Sequence, residues 1–391
     1  MVVLEKLQRY GPRHKTLVRA MVLCFVIYSL YFLGFNETYQ SIDEHSHEVA
    51  QNDAIVQRSK LMSAGNRVFN WKPKVTSDDT SSKCQPQRKL VYLRLVETKC
   101  YTFGNILNRF GYHNGLTFVL PDTSRSAVFD FTEPLSETMI APFNTHDYDL
   151  LVHFARYNHL LMHQLVPNAR FITMIQEPSR QLRASFFFFK MQYRWKLREN
   201  FESQTFPTFV RDASKYYYTN EPYNWLMKNG QLFMLGLDHK DELDADKVKQ
   251  RIGEIEYHFD LVMINEYFDE SLILLKKIMC WSFEDILYMP HDAFEHSYTG
   301  ISSETTRTVD QWSAADRRLY YHFNTTFWRK VEEYGDTFQQ DLQTFRLLNA
   351  NAIRACATKN PPHLCTLMAT EEEDFVEEIR NHQQQLYGFL P

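Results

Sequence analysis

The segment from Leu17 to Phe35 constrains this chain most, because it is almost wholly apolar and long enough to cross a membrane. At about 1.5 Å per residue, a helix over this segment spans roughly 28 Å, close to the thickness of the hydrocarbon core of a bilayer. Basic residues precede the segment and acidic residues follow it, which places the N-terminus in the cytosol. We therefore predict a cytosolic tail at 1–16, a transmembrane signal anchor at 17–35 and a type II topology.

A cleaved signal peptide is the alternative for this segment, although bulky residues stand where a small-x-small cleavage site is expected. Residues 36–87 are polar and lack sustained periodicity, which is typical of a luminal stem. Residues 88–391 show no clear internal break and are predicted to form one luminal domain, with enough apolar side chains for a sizeable core. The formal net charge of -5 argues against a nucleic-acid partner.

Short apolar runs alternate with helical periodicity in the predicted luminal domain. The predicted strands are 90–96, 149–154, 170–175 and 261–264. The predicted helices are 103–110, 178–193, 269–280, 307–345 and 371–385. This alternation predicts an α/β domain with a mostly parallel sheet and a helical C-terminal part.

Ligands of a parallel α/β sheet bind at the carboxyl ends of its strands, where helix N-termini can hold a phosphate. Two places have this layout: the loop after strand 90–96 and the turn Gln176–Pro178 after strand 170–175. We expect an anion-binding site to involve both.

Five cysteines follow the predicted anchor, and an oxidising lumen favours disulfides among them. Cys356 and Cys365 are predicted to form a local pair. Cys84, Cys100 and Cys280 have no assigned partner, and an odd number means that at least one is free or bonds another chain. A homodimer therefore stays open.

Asn324 begins an Asn-Thr-Thr triplet and is the predicted glycan acceptor of the luminal domain. The cysteine spacing forms no zinc motif, and the histidines show no metal-ligand spacing, so no metal is predicted. The acidic run Glu371–Asp374 is interpreted as a solvated helix start.

Two long segments carry a resemblance to a known family. They are 259–276, followed by Cys280-Trp281, and 319–328, preceded by Trp312. Both resemble the galactose 3-O-sulfotransferases, and fainter matches extend the resemblance over roughly 88–345. It implies a Golgi type II membrane protein with a P-loop-like sulfotransferase fold. It also implies transfer of sulfuryl from 3′-phosphoadenosine 5′-phosphosulfate (PAPS) to the 3-hydroxyl of terminal β-galactose on glycolipids or glycans, without a metal.

The donor loop of that family reads Lys-Thr-His-Lys-Thr-Ala-Gly-Ser-Thr and aligns with 94–102. Its His is the expected base and its second Lys the phosphosulfate clamp. Arg94 keeps a positive charge, and Thr98 and Thr102 keep hydroxyls. With Lys99, two positions beyond the clamp, these are the residues that the resemblance implies for donor binding in this loop.

Several family positions are changed. Val96 stands at the base position and Glu97 at the clamp position. The family's Arg-Glu/Asp-Pro motif, which holds the 3′-phosphate, begins here with Gln176, and its serine is shifted by one place to Ser185. The nearby substitutes are Lys99, Arg180 and Arg183 for the lost cations and His153 for the base.

Two hypotheses follow from the retained fold segments and the altered donor motifs. The first is a PAPS-dependent sulfotransferase with a reworked site. The second is a catalytically silent relative that acts as a glycan-binding or partner-regulating Golgi protein. A secreted binding module would instead require N-terminal cleavage between about Phe35 and Gln40.

Overall fold

A four-stranded parallel sheet organises the part of the chain that the structure describes. The computed structural model describes residues 84–96, 98–122, 126–197, 204–217, 223–291 and 301–389. The strands are β1 (Leu90–Leu93), β2 (Leu150–Leu151), β3 (Arg170–Ile175) and β4 (Leu261–Ile264). Every strand residue except Arg170 is buried, because helices and loops cover both faces of a parallel sheet. The predicted α/β class is confirmed.

The strand order is β2-β1-β3-β4, with all neighbours parallel. Val91 of β1 is the register partner of Leu151 on one side and of Phe171 on the other. The chain therefore leaves β1 in one direction, returns across it and continues in the other direction. This reversal creates a topological switch point between the carboxyl ends of β1 and β3, which is where open α/β sheets bind ligands.

Helices follow the strands and make up most of the C-terminal third. Those that precede β4 are α1 (Cys100–His113), α2 (His159–Leu165), α3 (Pro178–Phe188), α4 (Met191–Arg194), α5 (Thr205–Arg211), α6 (Ala213–Tyr216), α7 (Gly230–Met234) and α8 (Ala245–His258). Those that follow it are α9 (Phe268–Met279), α10 (Ser303–Trp312), α11 (Ala314–Tyr334), α12 (Phe338–Cys356), α13 (His363–Ala369) and α14 (Glu372–Tyr387). The C-terminal part is thus helical, as predicted.

The predicted strands differ in how well they match. Strands 170–175 and 261–264 have their predicted bounds. The first ends at Leu93 rather than at 96, because the chain turns there into the loop before α1. The second contains only Leu150–Leu151, since Phe154 pairs with Val128 in an isolated bridge outside the sheet.

The predicted helix 178–193 is interrupted at Lys190, whose φ of 54° is left-handed and begins the separate helix α4. α14 has close to its predicted bounds and packs on α1. Gln383 of α14 accepts a hydrogen bond from Phe118 N at 2.7 Å and donates one to Phe118 O at 3.0 Å. An amide side chain thereby satisfies backbone groups in the way that a neighbouring strand would.

Two disulfides are present in the described part of the chain. Cys356–Cys365 confirms the predicted local pair, and Cys84–Cys280 joins residues 196 positions apart. Cys100 belongs to neither bond and is buried at the start of α1. A disulfide-linked homodimer through Cys100 is therefore incompatible with the folded domain.

Within the described residues, no helix is both long and apolar enough to span a bilayer. The predicted tail at 1–16 and anchor at 17–35 lie outside those residues, as does the predicted stem except its last four positions. The described residues all belong to one compact unit, Arg67–Pro391.

Candidate functional site

A cleft of about 1110 Å³ opens at the carboxyl ends of β1, β3 and β4. Lys99 and Tyr101 reach it from the region after β1, the turn after β3 contributes residues 176–180, and Asn265 follows β4. Helices α3, α10 and α11 and the start of α14 form the remaining walls. The cleft therefore lies at the switch point, where the sequence predicts an anion-binding site.

Charges of both signs line this cleft. The cationic side chains are Lys99, Arg180, Arg183 and Lys190. The carboxylates are Glu177, Asp310, Glu371, Glu372 and Glu373. Four cations face five carboxylates among the described lining residues, so the cleft has no net positive charge with which to attract a nucleotide from a distance.

The turn after β3 is closed by its own side chains. The Glu177 carboxylate caps α3 and accepts hydrogen bonds from Ser179 N at 3.2 Å, Arg180 N at 3.1 Å and Ser179 Oγ at 2.6 Å. The amides that could hold a phosphate at this helix N-terminus thus already have an acceptor within the chain. Gln176 lines the cleft nearby, and its Oε1 is buried without a hydrogen-bond partner.

The loop after β1 contains a buried ion pair. The guanidinium of Arg94 is fully buried and contacts the Glu372 carboxylate through both Nη atoms, with 3.1 Å between Nη2 and Oε2. The side chain of Glu372 is only 9% exposed. The prediction of a solvated helix start at Glu371–Asp374 is therefore wrong for Glu372, since a cation 278 residues earlier in the chain draws it inward.

The two threonines of the predicted donor loop make internal hydrogen bonds. Thr98 Oγ1 donates to Leu95 O at 3.2 Å, and Thr102 Oγ1 accepts from His291 N at 2.9 Å. Both threonines are buried, whereas Lys99 faces the cleft, with its Nζ 5.5 Å from the ring centre of Phe268. Of the donor-loop residues implied by the resemblance, Lys99 alone lines the cleft; Glu97 lies outside the described residues.

The structure does not bring the predicted substitute base to the cleft. His153 has no solvent exposure, and both ring nitrogens lack hydrogen-bond partners. Burial, together with the charges of Arg94 and Arg380, lowers the pKa of His153 to about 3. The prediction of His153 as base is corrected on this ground, because a base must reach the acceptor hydroxyl. Val96, at the family's base position, is buried as well.

Ser185 also points away from the cleft. It is fully buried, and its Oγ accepts a hydrogen bond from Gln181 Nε2 at 2.9 Å, while Ala184 lines the cleft. One residue along a helix is a turn of about 100°, which accounts for the difference. The prediction that Ser185 contacts the donor does not fit this orientation.

The predicted glycan acceptor Asn324 lies in the middle of α11 and is half-buried. Its Oδ1 is enclosed and has no hydrogen-bond partner. Glycan acceptors are expected in surface loops, so this position weighs against the prediction.

Two carboxylates near the cleft had no role predicted from the sequence. Asp310 of α10 lines the cleft, lies 3.3 Å from Arg317, and has a pKa raised by burial. Glu266 follows β4, accepts a hydrogen bond from Glu177 N at 2.9 Å, and also has a pKa raised by burial. Glu266 lies within a segment that carries the resemblance, whereas no local sequence signal marks Asp310.

The parallel sheet with a charged cleft at its switch point defines an α/β protein of the type that binds its ligand at the carboxyl ends of the strands. The family model for galactose-3-O-sulfotransferases matches residues 1–372. The chain therefore belongs to the galactose-3-O-sulfotransferase family.

Curated relatives agree with this family. Galactosylceramide sulfotransferase from Bos taurus is 32% identical over 287 residues, which cover 72% of this chain and 67% of the relative. The protein of that name from Homo sapiens is 33% identical over 266 residues, which cover 67% of this chain and 62% of the relative. Galactose-3-O-sulfotransferase 3 from Mus musculus is 29% identical over 314 residues, which cover 78% of this chain and 72% of the relative.

Proposed function

We propose that this protein transfers sulfuryl from PAPS to the 3-hydroxyl of terminal β-galactose on a glycolipid or a glycoprotein glycan. Family membership and the names of the relatives, which are sulfotransferases, support the reaction class. The cleft at the switch point is the observation that carries the proposal. At about 1110 Å³ it exceeds the roughly 300–1,000 Å³ of an ordinary small-ligand pocket, which leaves room for both a nucleotide donor and a sugar.

In this proposal the cations of the cleft replace those of the family motifs. The acceptor oxygen attacks sulfur, and the bond between sulfur and the bridging phosphate oxygen breaks. Lys99, next to the start of α1, and Arg180 and Arg183 on α3 would then stabilise the charge on the departing phosphate.

Asp310 is our proposed general base. It lines the cleft, and burial raises the pKa of its carboxyl, which makes it a stronger proton acceptor than an ordinary aspartate. The proton of the acceptor hydroxyl would pass to this carboxylate as the oxygen attacks.

We also propose a Golgi location with the folded domain in the lumen. The predicted anchor at 17–35 and the charge asymmetry around it support a single-pass type II topology. The two disulfides support an oxidising compartment.

The second proposed function is that of a catalytically silent family member that binds glycans or regulates a partner. The ion pair of Arg94 with Glu372 and the Glu177 cap of α3 favour it, because both occupy groups that could otherwise bind the donor. Each charged hydrogen bond lost to the donor removes roughly 1.5–3 kcal/mol of binding.

The deciding experiment combines binding and transfer on the full chain in detergent. Calorimetry measures the affinity for 3′-phosphoadenosine 5′-phosphate, and labelled PAPS measures transfer to galactosylceramide and to galactose-terminated glycans. We expect micromolar binding and sulfation at the 3-hydroxyl. A folded protein that binds no nucleotide at millimolar concentration would eliminate the enzyme proposal and favour the silent one.

Two variants test the assigned roles. Lys99→Ala is expected to weaken nucleotide binding at least tenfold, whereas Lys249→Ala, on the exposed side of α8, is expected to leave it unchanged. Asp310→Asn is expected to keep nucleotide binding but to lower kcat by about 10²–10⁴-fold, the usual contribution of a general base. Equal transfer by Asp310→Asn and the unaltered protein would exclude Asp310 as the base.

A further inference from the structure

The guanidinium of Arg94 is positioned to bind an anion. Its guanidinium lies at the carboxyl end of β1 with no solvent exposure, 4.0 Å from the ring centre of Phe154. Both Nη atoms contact Glu372, and Nε is buried without a hydrogen-bond partner. A guanidinium fork binds carboxylate, sulfate and phosphate in the same bidentate way. The Glu372 carboxylate occupies the two Nη atoms and leaves the Nε–H of Arg94 without an acceptor, whereas a sulfate or phosphoryl group has further oxygens to offer.

The neighbouring helix leaves room for this pair. A Cβ atom on Gly104 of α1 would lie 3.1 Å from Arg94 Nη1 and 3.2 Å from Glu372 Oε1. Glycine is disfavoured inside a helix, and the φ of Gly104 is not left-handed. The close approach of the ion pair is therefore the reason for glycine at this position.

Glu372 is brought to Arg94 by the first turn of a helix that is held elsewhere. Farther along α14, Gln383 bonds the backbone of Phe118, and Tyr387 Oη lies 2.9 Å from Thr117 Oγ1. None of the residues in these contacts lines the cleft, whereas Glu372 does, in the first turn of α14. The Glu372 carboxylate can thus leave Arg94 while the rest of α14 stays in place.

We infer that Arg94 forms an oxyanion-binding site which the chain fills with its own Glu372 carboxylate, and that an external sulfate or phosphosulfate group binds there in its place. The site is continuous with the cleft, because Glu372 lines the cleft while it contacts Arg94. Glu372 then sets how readily an anionic ligand enters. The inference rests on the proposed function only for the identity of the natural ligand; the oxyanion chemistry is a property of Arg94 itself.

Glu372→Gln in the full chain is the direct test, with inorganic sulfate and 3′-phosphoadenosine 5′-phosphate as probes. The variant is expected to have a lower Tm, since removing one partner leaves a buried charge uncompensated. Sulfate is expected to restore the Tm, and the Kd for the nucleotide is expected to fall at least tenfold. Glu373→Gln is the matched control: it removes the same charge from the same cleft and should change the nucleotide Kd by less than threefold.

Glu372→Asp covers the case in which Glu372→Gln does not fold. It keeps the charge but shortens the side chain by one methylene, so sulfate should raise its Tm more than that of the unaltered protein. A folded Glu372 variant that responds to sulfate no more than Glu373→Gln does would overturn the inference.

The outcomes also separate this inference from the proposed function. A sulfate response of the Glu372 variants without any nucleotide binding supports the Arg94 site and removes the sulfuryl-donor proposal. Nucleotide binding to the unaltered protein that no Glu372 variant changes supports the donor proposal and removes the Arg94 site.

Discussion

His153 follows β2, with both ring nitrogens buried and without hydrogen-bond partners. Its pKa is lowered from 6.5 to about 3, first by burial and then by the charges of Arg94 and Arg380. Between these two pH values the unfolded chain binds a proton at this residue and the folded chain does not. His153 therefore stabilises the fold fully above about pH 6.5, and this contribution is lost as the pH falls towards 3. As the pH falls from above 6.5 to below 3, the fold loses about 5 kcal/mol of stability through His153.

Replacement of His153 by leucine is expected to reduce this loss of stability in acid. Leucine has a similar volume and needs no hydrogen bond, so the fold should tolerate it with a cost below about 1.5 kcal/mol at pH 7. The free energy of unfolding of the variant minus that of the unaltered protein should be about 2 kcal/mol larger at pH 5 than at pH 7. Urea unfolding at both pH values measures this. The exposed His146→Leu is the control, and the same pH dependence in both variants would contradict the assignment.

At the scale of elements, helices α7 and α11 cap each other. Asn229, which precedes α7, accepts hydrogen bonds through Oδ1 from Ala315 N at 3.0 Å and Asp316 N at 3.1 Å in the first turn of α11. Asp316 in turn accepts hydrogen bonds from Gln231 N at 3.0 Å and Leu232 N at 2.8 Å in α7. Burial raises the pKa of Asp316 to about 7 despite these donors. The two helices are thus joined by reciprocal caps, and neither cap can be recognised from one helix alone.

Asn229→Ala is expected to destabilise the domain by about 3–4 kcal/mol, because it leaves buried amides unsatisfied and puts alanine at a left-handed φ of 48°. Asn229→Gly is the matched variant, since glycine adopts this φ without strain. It should cost about 1 kcal/mol less than alanine, and chemical denaturation measures both. Equal losses for the two variants would mean that the backbone conformation contributes nothing.

At the scale of the whole molecule, the two disulfides constrain the unfolded chain very differently. Cys84–Cys280 ties the first described residue to the end of α9 across 196 positions, whereas Cys356–Cys365 closes a loop of 9 positions. The chain-entropy relation assigns about 5.3 kcal/mol of stabilisation to the long loop and about 2.6 kcal/mol to the short one.

Replacing both cysteines of a pair by serine tests this difference. The Cys84/Cys280 double variant is expected to lose about 3 kcal/mol more stability than the Cys356/Cys365 double variant. Thermal and urea unfolding under non-reducing conditions measure both losses. A larger loss from the short loop would show that local packing, and not chain entropy, dominates.

Local features of the chain were predictable from sequence where neighbouring residues suffice to decide them. Strands 170–175 and 261–264 are continuous apolar runs, and a run of this kind must be buried on both faces wherever it lies in a sheet. The pair Cys356–Cys365 is close enough in sequence to meet through a local turn. The family followed from long specific segments, and the position of the cleft followed from the rule for parallel sheets.

The sequence by itself thus determined the α/β class, the family and the edge of the sheet where the cleft opens, because these follow from local apolar patterns and from specific segments of the chain. Tertiary structure alone decided which polar groups reach the cleft. Arg94 meets Glu372 across 278 residues, and His153 is enclosed by groups from elements distant in the chain. The physical reason is that burial, charge pairing and the direction of a side chain depend on all the elements packed around it, and no local pattern encodes that environment.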